Sequence, residues 1–317
     1  MRTLIINDAH LGVSRQAGTT RDSRISLEAW MLQEFKGLFE VPHDNVIILG
    51  DLCDSRNVEE HIMAEVIHIL KGEDAFIVAG NHDLGGKNDH TMSSAQFIAK
   101  MSGSKWIDEP TVVDGRYILP HLIDQAAFDK AVQECPDNAI MLCHANIDSP
   151  WAHSDHSLNL TLQQIVELEK RGVDVISAHE HAKRDYQGVT ILGNQFPSSI
   201  SDCLGGDKFC HILEGDELTE ILTWDCKSNF YQGPELPTDH YEFIEITGEC
   251  ELSEYPTVVK SVGELRKDSS AFIVKNSVKV REFTAEVSKD EVTKFNIVEM
   301  LLEEIPEEYQ EEIKACL

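Results

Sequence analysis

Asp8 and His10, Asp51, Asn81 with His82 and Asp83, His144, and His179 with His181 are spread over the chain, yet each group directly follows a short apolar run. Carboxylate and amide oxygens mixed with imidazole nitrogens, with no thiolate among them, form a donor set suited to Mn²⁺, Fe²⁺ or Zn²⁺. Gly50 ahead of Asp51 permits a sharp turn, and a carboxylate can bridge two cations through its two oxygens. Two ions about 3.5–4 Å apart can hold a hydroxide between them and neutralise the nonbridging oxygens of a phosphate. That is the chemistry of phosphoester hydrolysis. His82, next to the donor Asn81, is assigned to stabilising transition-state charge and protonating the leaving alkoxide. Asp83 is expected to orient its ring. Asp8 and His10, two apart at a strand end, are expected to point to one face of a sheet.

The apolar runs cover residues 3–7, 46–49, 75–79, 139–143 and 173–177, and their length, apolarity and β-branching predict buried strands. Residues 25–40 and 59–70, between the first three, carry apolar side chains at helical spacing. Strand–helix–strand alternation predicts an α/β fold with a largely parallel sheet covered by helices. Ligands of such sheets gather outside the carboxyl ends of the strands, where every candidate donor falls. Further strands are predicted at 117–119, 189–192, 209–213 and 218–224, with turns at Gly205-Gly206-Asp207 and Glu214-Gly215-Asp216. Pro234 and Pro237 bracket a polar linker. After it, strands at 241–246, 271–274 and 278–283 around a helix at 258–266 predict a small β-α-β cap. Val292, Phe295, Val298, Leu301, Leu302 and Ile305 recur at helical spacing before Pro306. The chain thus divides into a main domain of residues 1–235, a cap of 236–284 and an acidic helical tail of 285–317.

With 317 residues, 42% hydrophobic and 26% charged, the composition is that of a globular protein. Met1-Arg2 runs directly into Leu4-Ile5-Ile6 and Asp8, and no apolar run approaches the ~20 residues of a membrane helix, so a soluble cytoplasmic protein is expected. The eight cysteines contain no CxxC pair, which predicts free thiols and neither a disulfide framework nor a structural zinc site. The net charge of −29 argues against unaided grip on nucleic acid, because such grip comes from displacing counterions from phosphate. Metal ions, a local basic loop or a partner would have to supply the attraction.

Arg15, Arg21, Arg24 and Arg56 follow the first and second donor groups. They could run along a DNA backbone, or face solvent and pair with acids such as Asp22 and Glu28; both readings stand. His153 and His156, near Asp148 and Asp155, are read as a solvated loop in preference to a further metal site. The apolar stripe of the tail must be buried on its own domain or in a partner, and the partner is favoured.

Asp8-Ala9-His10, Gly50-Asp51-Leu52-Cys53-Asp54, Gly80-Asn81-His82-Asp83, His144 after an apolar strand and Ala178-His179-Glu180-His181 resemble the five ordered motifs of the calcineurin-like metallophosphoesterases, over about residues 1–200. Ala178 stands where the family usually has glycine, and Cys53 where its nuclease members usually carry an aromatic residue. The resemblance implies a four-layer αββα sandwich. It gives one metal Asp8, His10, Asp51 and His181, and the other Asp51, Asn81, His144 and His179, with His82 as the catalytic histidine. Within the superfamily, His10-Leu11-Gly12, the stretch from Gly50 to Arg56 and Leu119-Pro120-His121 are similar to the nuclease subunit of SbcCD-type DNA repair exonucleases, especially compact viral versions. That similarity implies two divalent ions, Mn²⁺ ahead of Mg²⁺, Fe²⁺ or Zn²⁺, and exo- or endonucleolytic cleavage of DNA in repair, recombination or degradation. It also implies an SMC-like coiled-coil ATPase docked on the C-terminal helices, and a homodimer. The alternatives are a small-molecule phosphodiesterase or phosphoprotein phosphatase with the same centre, and a scaffold that keeps the fold for binding alone. An intact donor set argues against the scaffold.

Overall fold

The apolar runs of the sequence become the inner strands of two mixed sheets. In chain order the first elements are β1 (Arg2–Ile6), α1 (Arg21–Leu38), β2 (Asn45–Leu49), α2 (Glu60–Leu70), β3 (Ala75–Val78), α3 (Asn81–Leu84), α4 (Ser94–Ser102), β4 (Lys105–Ile107) and β5 (Thr111–Val113). They are followed by β6 (Arg116–Leu119), α5 (Gln125–Glu134), β7 (Ile140–His144), β8 (Asn146–Ile147), β9 (Asn159–Leu160), α6 (Leu162–Lys170), β10 (Asp174–Ala178), β11 (Arg184–Tyr186) and β12 (Val189–Ile191). The last are α7 (Ile200–Cys203), β13 (Lys208–Glu214), β14 (Glu217–Trp224), α8 (Cys226–Asn229), β15 (Phe230–Gly233), β16 (Phe243–Ile246) and β17 (Ile273–Asn276). The structure, a computed structural model, describes residues 1–13, 21–84, 91–149, 158–235, 237–239, 241–248 and 273–276, with secondary structure alone for 21–26 and 273–276.

One sheet runs β14-β13-β1-β2-β3-β4, with β1 to β4 parallel and β13 antiparallel to β1. The other runs β11-β12-β10-β7-β6-β5, with β12, β10, β7 and β6 parallel. Side chains alternate across each strand, so each sheet offers two apolar faces. Leu4, Ile6, Val46, Ile48 and Ile77 pack outward on Trp30, Phe35, Ile62, Val66 and Ile98 of the covering helices. Ile5, Ile47, Leu49 and Val78 point the other way and meet Ile118, Leu142 and Ile176 of the second sheet. Met141, Cys143, Val175 and Ile191 pack on Phe128, Val132, Ile165 and Leu168 of α5 and α6. Three apolar layers between four layers of elements make the αββα sandwich. Each fully buried side chain of this kind contributes about 1.5–3 kcal/mol, which is why the central strands need no polar face. Helix ends are closed locally: Ser93 and Gln96 form a capping box on α4, and Thr161 and Gln164 form one on α6.

β15, β16 and β17 form a third, parallel sheet. The predicted strands at 241–246 and 271–274 correspond to β16 and β17, whereas β15 lies before the 235/236 boundary and was not anticipated. Phe243 is fully buried, with ring centroids 6.2 Å from Trp30 and 6.1 Å from Trp224, so β16 packs into the outer core of the first sheet. The predicted helix at 258–266, the strand at 278–283 and the acidic tail lie outside the described residues. Among the described residues no helix is long and apolar enough to cross a membrane, and six cysteines are free thiols.

Candidate metal centre

The donors gather where β1, β2, β3, β7 and β10 end. Backbone geometry sets this up more than strand alternation does. Asp8 and His10 lie beyond β1, and they adopt left-handed backbone conformations, with φ of 48° and 44°. The two converge as expected, but left-handed backbone beyond the strand, and not the strand's pleat, aims them. Asp51 (φ 50°) and His179 (φ 83°) share this rare conformation, which costs an L-residue about 1–2 kcal/mol. Such cost concentrated on candidate ligands marks a functional site.

Surrounding hydrogen bonds hold these turns. The N–H groups of Asp8, His10 and Leu11 donate to the carbonyls of Gly50, Asp51 and Leu52 at 3.1, 3.0 and 2.9 Å. Asn7 donates from Nδ2 to Asp8 Oδ2 (2.7 Å), and the His179 N–H donates to the same oxygen (2.9 Å). A Cβ at Gly50 would fall on the His144 ring, and one at Gly80 on the Asp51 carboxylate. Both glycines exist for close approach. Ala178 is accommodated because it ends β10 opposite His144 while the positive φ falls on His179.

The donor atoms form two groups around Asp51. His10 Nε2 and His181 Nε2 face each other at 3.0 Å, with an Asp8 oxygen within 4.8 Å of both. Asn81 Oδ1 lies 3.1 Å from His144 Nε2 and 3.0 Å from His179 Nδ1. Asp51 Oδ2 sits between the groups, 3.8 Å from His10 Nε2 and 3.3 Å from His144 Nε2. Its other oxygen accepts the His82 N–H at 2.9 Å. One oxygen, not two, is thus placed to be shared.

Charge follows from burial and proximity. Burial opposes charge on His10, but the Asp54 carboxylate 3.6 Å from Nδ1, with Asp51 and Asp8, outweighs it and raises the imidazole to about 9. His144 is also pushed up to about 9, burial being overcome mainly by Asp51. Asp51 in turn is held well below the usual carboxylate range, because His144, His10 and His82 outweigh its burial. Asp8 Oδ1 is buried with no hydrogen-bond partner, a cost removed by a cation. Convergent nitrogens, a central carboxylate oxygen and an orphaned acidic oxygen fit two divalent ions.

His82 lies at the edge of this cluster, its ring centroid 4.7 Å from that of His10. Its Nδ1 donates to the Asp54 carbonyl at 2.6 Å, which leaves Nε2 for a substrate. The predicted Asp83–His82 contact is not made. Asp83 is fully buried and accepts from the Cys53 and Gly80 N–H groups at 3.1 and 3.0 Å, tying the second and third motifs together. His82, one residue earlier in the same turn of α3, is anchored by the Asp54 carbonyl instead.

Arg56 donates to the carbonyls of Leu84 and Thr91, so it bridges chain segments. Arg21 and Arg24 fall in α1 at positions whose side chains are not described, and Arg15, His153 and His156 lie outside the described residues. Asp148 accepts from Tyr186 Oη and the Leu162 N–H. Glu180, between the two ligand histidines, pairs with Arg184 and accepts from the Ile147 N–H. His121 is buried, its N–H on the Ala79 carbonyl. Sequence reasoning missed Asp54, although a carboxylate three residues past Asp51 in the same motif was a usable signal. It also missed Asp202 and Lys208, which touch His181 from more than twenty residues away and carry no motif.

A sheet sandwich with mixed nitrogen and oxygen donors paired about one aspartate, and an imidazole beside them, defines a metal-dependent phosphoesterase. The chain matches the calcineurin-like phosphoesterase family over residues 1–183, and it belongs to that family. The matched span ends just past His181. Among curated proteins no match was found.

Proposed function

We propose that this metal-dependent hydrolase is a nuclease subunit that cuts phosphodiester bonds in DNA, with Mn²⁺ as its metal and a coiled-coil ATPase as its partner. The observation that carries the phosphoester chemistry is Asp51 Oδ2 between the two donor groups, with His82 beside them. Bound there, two divalent ions supply the Lewis acidity that withdraws charge from a phosphate and activates water.

The chain's own residues do the rest. The Asp54 carbonyl holds His82 Nδ1–H, so Nε2 faces a pocket of about 230 Å³ bounded also by His10, Val13, His181 and Ser198. A proton on Nε2 is placed to pass to a leaving alkoxide. Alkoxides leave poorly without one, which suits an ester of sugar hydroxyls. The motif similarity to SbcCD-type subunits and the extra parallel sheet after the sandwich support the DNA reading.

The charge of −29 favours a second reading, a small phosphodiester or a phosphoprotein as substrate, because such a surface repels long DNA. The test offers linear duplex DNA, single strands, a cyclic nucleotide and p-nitrophenyl phosphate to the chain with Mn²⁺, alone and with the coiled-coil ATPase. DNA cleavage is expected, strongest in the complex. Turnover of the small esters with DNA untouched would exclude the nuclease. Removal of residues 286–317, which lie outside the described residues, should abolish partner binding and spare ester hydrolysis.

A further inference from the structure

His181 has a side chain 32% exposed, against 5% for His10, so crowding alone does not fix its ring. Hydrogen bonds do. Asp202, almost wholly buried, takes His181 Nδ1 on Oδ1 at 2.7 Å. Its Oδ2 is held by the Ser198 N–H and hydroxyl, each at 2.9 Å, so the carboxylate itself cannot swing. Lys208, 2% exposed, donates from Nζ to the His181 carbonyl at 3.0 Å and fixes the backbone of the same residue. A carboxylate on one ring nitrogen selects the tautomer whose other nitrogen carries the lone pair, here Nε2 facing His10.

The opposite donor group is built differently. His144 is fully buried, and its Nδ1 is taken by the Leu49 carbonyl at 3.0 Å. Leu49 and Asn81 both lie within residues 1–183, whereas Asp202 and Lys208 lie beyond them. We propose that Asp202 is the positioning residue of the His10–His181 ion site, so that this site is completed by a segment outside the matched span. The proposal rests on the two-ion reading of the centre. It implies unequal sites: one whose His144 is set by Leu49 within the matched span, the other dependent on the turn that carries α7.

Mn²⁺ titration of the full chain, followed by calorimetry and by electron paramagnetic resonance, tests this. The wild type should bind two ions. Asp202→Ala should weaken one of them by about 10–100-fold and leave the other unchanged. Asp202→Asn, which keeps an acceptor for Nδ1–H, should recover part of the loss. In double-mutant cycles, Asp202→Ala should add little to His181→Ala but its full effect to His179→Ala. Ser93→Ala removes the hydroxyl that caps α4, away from Asp202 and His181, and should leave both ions in place. Equal weakening of both sites, additivity with His181→Ala, or the same loss from Ser93→Ala would overturn the proposal. A wild type that binds no divalent ion would remove the metal-centre reading itself, and this inference with it.

Discussion

His10 Nε2 and His181 Nε2 face each other at 3.0 Å, and each ring turns its Nδ1 toward a carboxylate, Asp54 at 3.6 Å and Asp202 at 2.7 Å. Two lone pairs at that separation repel unless a proton or a cation lies between them. Without metal, protons take the place: His10 is raised to about 9, its carboxylate neighbours outweighing burial, and His144 likewise. Metal binding at neutral pH must therefore expel protons, and apparent affinity should climb with pH up to about 9. Calorimetry in two buffers of different ionisation enthalpy reads this directly. Binding heats independent of buffer at pH 7.5 would contradict the proton-filled centre.

The same protons make a prediction about stability. His10 and His144 hold protons more tightly folded than unfolded, so their contribution is complete below the unfolded value of 6.5 and is lost as pH rises through about 9. Asp51, held low, contributes above the unfolded 3.8 and loses that contribution in acid. Each histidine accounts for a stabilisation on the order of 3 kcal/mol, and the two are not additive because both lean on Asp51. In chelator, the melting temperature should fall between pH 6.5 and 9. With Mn²⁺ present the fall should shrink or vanish. A flat profile for the metal-free protein would refute it.

His82 and Asp83 are adjacent, yet substitutions at them should have opposite signatures. His82→Gln removes the proton donor beside the cluster and should cut turnover by about 10²–10⁴-fold, with melting temperature and metal content unchanged. Asp83→Ala leaves the buried Cys53 and Gly80 N–H groups unpaired, each costing about 1–3 kcal/mol. Its defect should appear first as thermal destabilisation. If Asp83→Ala melted like wild type while losing turnover, Asp83 would belong to the chemistry after all.

Arg56 offers a simpler discrimination. Its guanidinium spans Leu84 and Thr91, so Arg56→Ala should lower the melting temperature. On the nuclease reading proposed above, the salt dependence of DNA binding should stay as it was, because no phosphate contact is removed. A slope reduced by about one unit would mark Arg56 as a phosphate ligand instead.

Much of this was legible because the central strands are buried on both faces. Runs such as Val46-Ile47-Ile48-Leu49 announce themselves by apolarity, and the polar residue that ends each run marks the site. The same double burial hides which side chain faces which layer; only the register shows Ile47 and Leu49 inward, Val46 and Ile48 outward. Adjacent residues misled where a turn intervened, as with Asp83, because α3 starts at Asn81 and turns the two side chains apart. Phe230 to Gly233 has too few apolar residues to betray β15. Asp202 was invisible for another reason: its partner is set by tertiary contact, and no spacing encodes it.

The two motif glycines separate backbone strain from crowding. Gly50 has φ of +86°, so a side chain there would suffer twice, from conformation and from the His144 ring. Gly80 has no such φ, and the atoms nearest a Cβ there are the carboxylate and backbone nitrogen of Asp51. Gly115, at φ +81° with nothing nearby, isolates the conformational cost, about 1–2 kcal/mol. Gly115→Ala should therefore lower the melting temperature modestly and leave metal binding intact. Gly80→Ala should displace the carboxylate that both donor groups share, weakening both ions together, unlike a lesion at His181 or His179. Metal titration of the two variants compares these costs. If Gly80→Ala bound two ions as wild type does, the close approach of residues 80 and 51 would not be what sets the position of Asp51.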